Sequence, residues 1–399
     1  MSVATAPPGG AVAARWTRTA TMAVFFTHGL LFASWTAHIP QVKAHLGLTD
    51  GTLGVALLGA PAGSVSAMVV TARLLPRFGS QAMVRASLIG YGAAGVTVGL
   101  ARSLPELFAA LFVWGAFQGA LDVSMNTQAV AVERSEGRPL MSGFHGFWSL
   151  GTFAGAGIGV AGVAIGLSLT FQVLVLSVPA LIIVERLTSR MLPDTPRPSD
   201  SRAAAHAVGR FAGPVLLLGG IAFASMLCEG ASADWAAVYL RGPLHTGAAL
   251  AGVGYAAFSC TMVVVRLVGN RLLTRFAARS LLPVLALVAT AGFCAGLLSQ
   301  EKTAVIAGFA CLGIGLALIV PTVFSAAARL PGLNPGTAIA TVSACGWLGF
   351  VCGPPLIGQL ASVASLSVAL GVIPVLTTGI VLSTALSPAL AKHATGGRS

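Results

Sequence analysis

Runs of apolar residues recur along the chain, each followed by a short polar or glycine-rich turn. A helix needs about 20 mostly apolar residues to cross the hydrocarbon core of a bilayer. Segments meeting that test centre near Leu30, Leu58, Ala93, Gly115, Phe153, Leu174, Phe223, Ala257, Leu287, Gly313, Gly349 and Val375, which makes roughly twelve. The pattern predicts an all-α polytopic membrane protein. The first run follows Arg15 and Arg18 but is too long for a signal-peptide core. It leads into QVKAHLGLTDG without a cleavage site, so it is read as a span.

One hydrophilic stretch is longer than the rest, ERLTSRMLPDTPRPSDSRAAAHAVGR at Glu185 to Arg210. Its Pro, Ser and Arg content reads as a linker. This divides the chain into a six-helix bundle at 1–187, a cytoplasmic linker at 188–210 and a second six-helix bundle at 211–399. LLPRFG at Leu74 recurs as LLTRFA at Leu272, 198 residues later, and Gly151/Gly155 recur at the same offset as Gly349/Gly353. A shared offset points to two related, pseudo-symmetric halves, the architecture of many secondary transporters.

Composition agrees with membrane residence. Of 399 residues 56% are hydrophobic and 9% charged, against about 25% charged in a soluble domain. The excess of 23 Lys and Arg over 11 Asp and Glu falls in short clusters between spans, which excludes a nucleic-acid surface as its reason. With the N-terminus inside, 19 basic residues, among them Arg73, Arg77, Arg186, Arg266, Arg275 and Arg329, fall on the cytoplasmic side. The other side keeps 4, namely Lys43, Arg102, Arg241 and Lys302. This asymmetry places both termini in the cytoplasm, and the expected location is the bacterial cytoplasmic membrane. All six cysteines lie in apolar runs without metal-type spacing, so no disulfide framework and no metal site is expected.

An ionisable side chain at mid-bilayer costs about 2.5 to 3.5 kcal/mol, so it marks a substrate or ion pathway more often than not. Asp122, Glu229 and Asp234 are the acids within the predicted spans. On the fourth helix Trp114, Gln118, Asp122 and Asn126 recur every four residues and share one stripe. The bland alternative makes Asp122 and Asn126 mere interhelical glue. His145, Trp148, Ser149 and Thr152 share a face of the fifth helix. Counted outward from the ERSEGRP turn, Asn126 should match His145 in depth and Asp122 should match Ser149, which would let a carboxylate and an imidazole exchange a proton. An interfacial histidine is an equal reading of His145. On the seventh helix Glu229 aligns with Ser225 and Ser232, whereas Asp234 points elsewhere and is expected to pair with Arg241 near the outer surface. His28 and Trp35 stand a heptad apart on one face of the first helix, where His28 is either a packed structural residue or a ligand group. No Walker loop, HExxH or GxSxG motif competes, so there is no catalytic residue to assign and no nucleotide to drive a pump.

This architecture resembles the major facilitator superfamily along essentially the whole chain. The superfamily's loop pattern G-x-x-x-D-R-x-G-R survives in part as ARLLPRFGS, where Arg77 and Gly79 fit and Pro76 takes the aspartate place. NRLLTRFAA, with Arg275, is its degraded partner. Together these imply a cytoplasmic gate loop. GALDVSMN (119–126), EGASADWAAVYL (229–240) and PTVFS (321–325) resemble the fourth, seventh and tenth helices of the fucose/galactose/hexose proton symporters. Here Asp stands at 122 for the usual Glu, and Thr127 for the Pro. The nearest likeness is to the YbjJ-like bacterial branch beside them.

That resemblance implies Asp122 as proton acceptor, with Glu229 and His145 as further coupling groups. It implies a solute site drawn from His28, Trp35, Gln118, Asn126, Trp148, Ser149, Trp235, Tyr239 and Trp347. The expected function is proton-coupled symport of a small polar, sugar-like solute by a monomer in the lipid bilayer, with no cofactor beyond the proton gradient. A proton-driven drug or metabolite efflux antiporter is the alternative, favoured by the glycine run GTFAGAGIG.

The arginine asymmetry makes a direct prediction about topology. In intact cells, with the native cysteines replaced, a membrane-impermeant maleimide should label Glu301→Cys and should reach Ser199→Cys only after lysis. The reverse order of labelling would invert the assignment.

Overall fold

The computed structural model describes residues 8–136, 140–189, 191, 212–330, 335–387 and 390. All but the first residues of the expected linker at 188–210 therefore lie outside the described residues. Sixteen helices follow one another: α1 (Pro8–Ser34), α2 (Ile39–His45), α3 (Asp50–Leu57), α4 (Gly59–Phe78), α5 (Ser80–Val98), α6 (Leu104–Glu136), α7 (Met141–Ala164), α8 (Leu169–Thr188), α9 (Ala212–Arg241), α10 (Ala248–Arg275), α11 (Ala278–Ser299), α12 (Lys302–Leu316), α13 (Ile319–Ala327), α14 (Pro335–Val363), α15 (Leu366–Leu370) and α16 (Val372–Leu386). A 3-10 turn at Thr36–His38 joins α1 to α2. The described residues contain no strand.

Eleven stretches among the described residues are long and apolar enough to cross a membrane, several of them built from two helices in line. The segment expected near Ala93 is α5, less apolar because Gln81 and Arg85 occupy its first turns. Both have partners. Gln81 donates to the Thr188 carbonyl at 2.8 Å, and Arg85 pairs with Glu185, both on α8.

The helices pack as two units. Helices α1 and α4 to α8 make one, whereas α2, α3 and α9 to α16 make the other. The boundary is thus not a single cut at the linker, because residues 36–58 pack with the second unit. Within that unit α3 lies against α14, where Gly54 and Gly358 let the two backbones meet.

Small residues decide how the helices of each unit cross, since lipid-facing helices gain little from burying apolar surface against one another. A Cβ on Gly151 of α7 would strike the Phe26 carbonyl of α1, and one on Gly155 would strike that of Leu30. In the second unit a Cβ on Gly349 of α14 would strike the Phe223 carbonyl of α9. The glycines that repeat at an offset of 198 residues therefore sit at equivalent crossings. A further pair obeys the same offset: Gly115 of α6 abuts Ala60 of α4, and Gly313 of α12 abuts Phe258 of α10. Hydroxyls join the same helices, with Ser64 Oγ donating to the Gly115 carbonyl and Thr261 Oγ1 to the Ala310 carbonyl, both at 2.8 Å.

These crossings have no room for a side chain, so a branched residue there forces the helices apart. Gly151→Val or Gly313→Val should destabilise the purified protein by about 1 to 3 kcal/mol, the usual range for overpacking, or more where backbone must move. Gly157→Val, whose Cβ would meet nothing within 4 Å, should be close to neutral. Thermal unfolding in detergent micelles checks this, and equal losses at Gly151 and Gly157 would contradict it.

Candidate functional site

In the first unit α6 carries the acid. Helical spacing places Trp114, Gln118, Asp122 and Asn126 on one stripe, with Trp114 buried and the other three half-buried. Asn126 Nδ2 donates to the Asp122 backbone carbonyl at 2.8 Å and to its Oδ1 at 3.2 Å. Among the described residues Asp122 has this one hydrogen-bonding partner and no ion pair. His145 lies exposed near the start of α7, edge-on to Phe25 at 5.3 Å. Ser149, one turn further on, is buried and donates to the His145 carbonyl.

An aromatic cluster fills the neighbouring core. His28 of α1 stands edge-on to Tyr91 of α5 at 5.4 Å, and Trp148 of α7 lies 6.4 Å away. Tyr91 stacks on Trp114 at 5.1 Å with planes 4° apart, and Trp35 meets Trp114 edge-on at 6.0 Å. Offset stacking and edge contacts of this kind are the favoured geometries of aromatic pairs. Both ring nitrogens of His28, the Tyr91 hydroxyl and Trp114 Nε1 are buried without a hydrogen-bond partner among the described residues. Tyr91 escaped notice in the sequence, where it interrupts no pattern. Its signal was scarcity, since the chain has 3 tyrosines and all three are buried inside helices.

In the second unit α9 carries Glu229, and the sequence reading of its surroundings needs correction. Arg266 does not lie in a cytoplasmic turn. It sits inside α10, where its Nη2 lies 4.0 Å from Glu229 Oε2, with side chains 20% and 13% exposed. The signal was present: Arg266 is flanked by Val265, Leu267, Val268 and Gly269, five residues before the next arginine. The positive-inside asymmetry survives the loss of one residue from nineteen. Removing one member of a buried pair costs about 3 to 5 kcal/mol, because the other charge is left alone.

Arg266 has a second attachment. Pro321 in α13 has no N–H, so the carbonyl four residues earlier, Ala317, loses its helical donor. Helix α12 ends at Leu316 and α13 begins at Ile319, and Arg266 Nε donates to the Ala317 carbonyl at 3.3 Å. Ala317 is fully buried, and an unsatisfied group there would cost about 1 to 3 kcal/mol. Tyr255, Ser259 and Met262, all buried, share the face of α10 that leads to Arg266.

The remaining expected residues are dispersed. Trp235 and Tyr239 are completely buried in α9, with Trp235 Nε1 lacking a partner among the described residues and the Tyr239 hydroxyl accepting from Ser367 Oγ at 3.3 Å. Trp347 of α14 is half-buried and packs against Phe350 at 5.5 Å. Asp234 does not pair with Arg241, whose Nη1 donates instead to the Thr246 carbonyl at 2.5 Å. Arg77 and Arg275 are exposed, and each lies over the next residue's ring, Phe78 at 5.3 Å and Phe276 at 5.9 Å. Gly79 starts α5 with φ 78, a left-handed conformation that favours glycine. Neither arginine enters an ion pair among the described residues.

Comparison with known proteins places this arrangement. The family model described as Major Facilitator Superfamily matches residues 20–332. An uncharacterized MFS-type transporter of Yersinia pestis is 32% identical over 363 residues, 91% of this chain and 94% of that protein. Membrane protein MosC of Rhizobium meliloti is also 32% identical, over 92% and 89% of the two chains. Among solved structures, that of a D-xylose–proton symporter superposes with a TM-score of 0.76 at 14% identity, covering 95% of this chain and 98% of the other. With the family model spanning most of the helices and close relatives along nearly the full length, the chain belongs to the Major Facilitator Superfamily, a family of membrane transporters and not of enzymes.

Proposed function

We propose that this transporter couples the movement of a small polar, sugar-like solute to that of a proton, by symport and alternating access. The observation that carries the reading is Asp122, an acid inside a membrane-crossing helix with, among the described residues, Asn126 as its one partner and no cation beside it. An unpaired charge cannot cross a low-dielectric interior cheaply, so such a group is suited to take up a proton before the carrier reorients. Glu229 differs, because Arg266 already offers it a countercharge. The proton role therefore falls on Asp122, and Glu229 serves the solute and its own ion pair.

In the first unit the half-buried groups Gln118, Asn126 and Trp148 offer the amide hydrogen bonds and aromatic face that suit a hydroxylated ligand. The likeness of GALDVSMN, EGASADWAAVYL and PTVFS to hexose symporters, in a YbjJ-like branch, supports the same solute class. The alternative is a proton-driven drug or metabolite efflux antiporter, between which and symport the packing of Gly151 and Gly155 on α1 does not discriminate. The same reading has the carrier act as a monomer in the bacterial cytoplasmic membrane, termini inside, driven by the proton gradient.

A ligand comes first from thermal shift of the purified protein against sugars, polyols, amino acids and drugs. A ligand at 100 times its Kd adds about 2.7 kcal/mol to stability. With that ligand in proteoliposomes, Asp122→Asn should abolish accumulation driven by a pH gradient while keeping binding within a few-fold and retaining downhill exchange. Undiminished accumulation by the variant would move the proton pathway elsewhere, and a variant unable to fold would favour the interhelical-glue reading of Asp122.

A further inference from the structure

One side chain in the second unit is tied at both ends. The Arg266 guanidinium donates from Nε to the Ala317 carbonyl at 3.3 Å and presents Nη2 to Glu229 at 4.0 Å. A guanidinium is planar and rigid, so its two ends cannot move independently. The Ala317 carbonyl is available because Pro321 lacks the N–H that would have claimed it. The backbone there is already interrupted between Leu316 and Ile319. One turn along α10, a Cβ on Gly269 would meet the Leu318 side chain at 2.6 Å, so α10 lies close against the break at two successive points. In the first unit the residues 198 positions earlier than Glu229, Arg266 and Pro321 are Leu31, Met68 and Val123. The arrangement is therefore special to the second unit and not a by-product of the repeat.

We infer that Arg266 is a positioning residue that ties the Glu229 carboxylate to the break between α12 and α13, so that engagement of Glu229 is felt at that hinge. Discontinuous helices are where transporters of many folds bind and bend. The consequence for transport rests on the reading proposed above: a solute hydroxyl that takes the Glu229 carboxylate pulls on Arg266, and through it on Ala317. Arg266→Lys keeps the charge but loses the fork, so it should not substitute.

The test is hydrogen exchange of peptides covering residues 312–327 in the full-length protein in lipid nanodiscs, with no solute and no gradient. Arg266→Met and Arg266→Lys should each speed exchange around Ile319–Ser325 at least fivefold, and Glu229→Gln at least twofold, with peptides of α6 unchanged. Pro321→Ala returns an N–H to the Ala317 carbonyl, so in that background the effect of Glu229→Gln on this segment should fall below twofold. Should the Arg266 variants fail to fold, the comparison of Glu229→Gln with and without Pro321→Ala still decides. Exchange that is indifferent to Glu229→Gln, or equally sensitive to it with and without Pro321, would overturn the inference. Neither solute nor proton gradient enters the measurement, so its failure leaves the transport reading intact, and the failure of that reading leaves this one.

Discussion

The hydrocarbon core of a bilayer contains no water to satisfy a polar group, and the rest of this structure follows from that constraint. Backbone N–H and C=O groups are closed within helices. Side-chain hydroxyls turn back on carbonyls, either in their own helix or, as with Ser64 and Thr261, across a helix crossing. Where a proline breaks the pattern, as Pro321 does, another donor has to be supplied from outside the helix. Arg266 is that donor. An arginine inside a span looks extravagant, yet it satisfies a carbonyl and a carboxylate together.

The same constraint separates the acids. Glu229 has a guanidinium in reach, and Asp122 has an amide. An amide can accept or donate whichever protonation state the acid adopts, because Asn126 carries both a carbonyl oxygen and an NH2 group. A guanidinium favours the charged state alone. The two acids, similar on paper as lone intramembrane carboxylates, therefore suit different tasks.

Internal repetition frames the contrast. Gly115 with Ala60 and Gly313 with Phe258 are crossings of identical offset, so α6 and the α12–α13 pair are equivalent elements. Counting 198 residues on from Asp122 reaches Val320, beside the break and Pro321. The level that holds a half-buried acid in one unit holds a helix interruption in the other. The helix crossings are common to both units, and the side chains at this level differ.

Much of the fold was legible in the chain. Long apolar runs leave no alternative to helices in a bilayer, and the repeated glycines showed two related halves, because such signals act locally and at fixed spacing. Asp122 and Asn126 were legible for the same reason, lying one helical turn apart. What the sequence could not order were partnerships across helices. Arg266 reads as one more basic residue near a loop until α10 is laid against α9 and the end of α12, and Tyr91 is anonymous until it stacks on Trp114. Asp234 was matched to the nearest arginine in sequence, yet Arg241 turned to a carbonyl. Residues 36–58 joined the second unit although they precede its other helices by more than 150 residues. Helical periodicity sets which face a side chain occupies. Which neighbour meets that face depends on close packing between segments distant in the chain, and only the tertiary structure decides it.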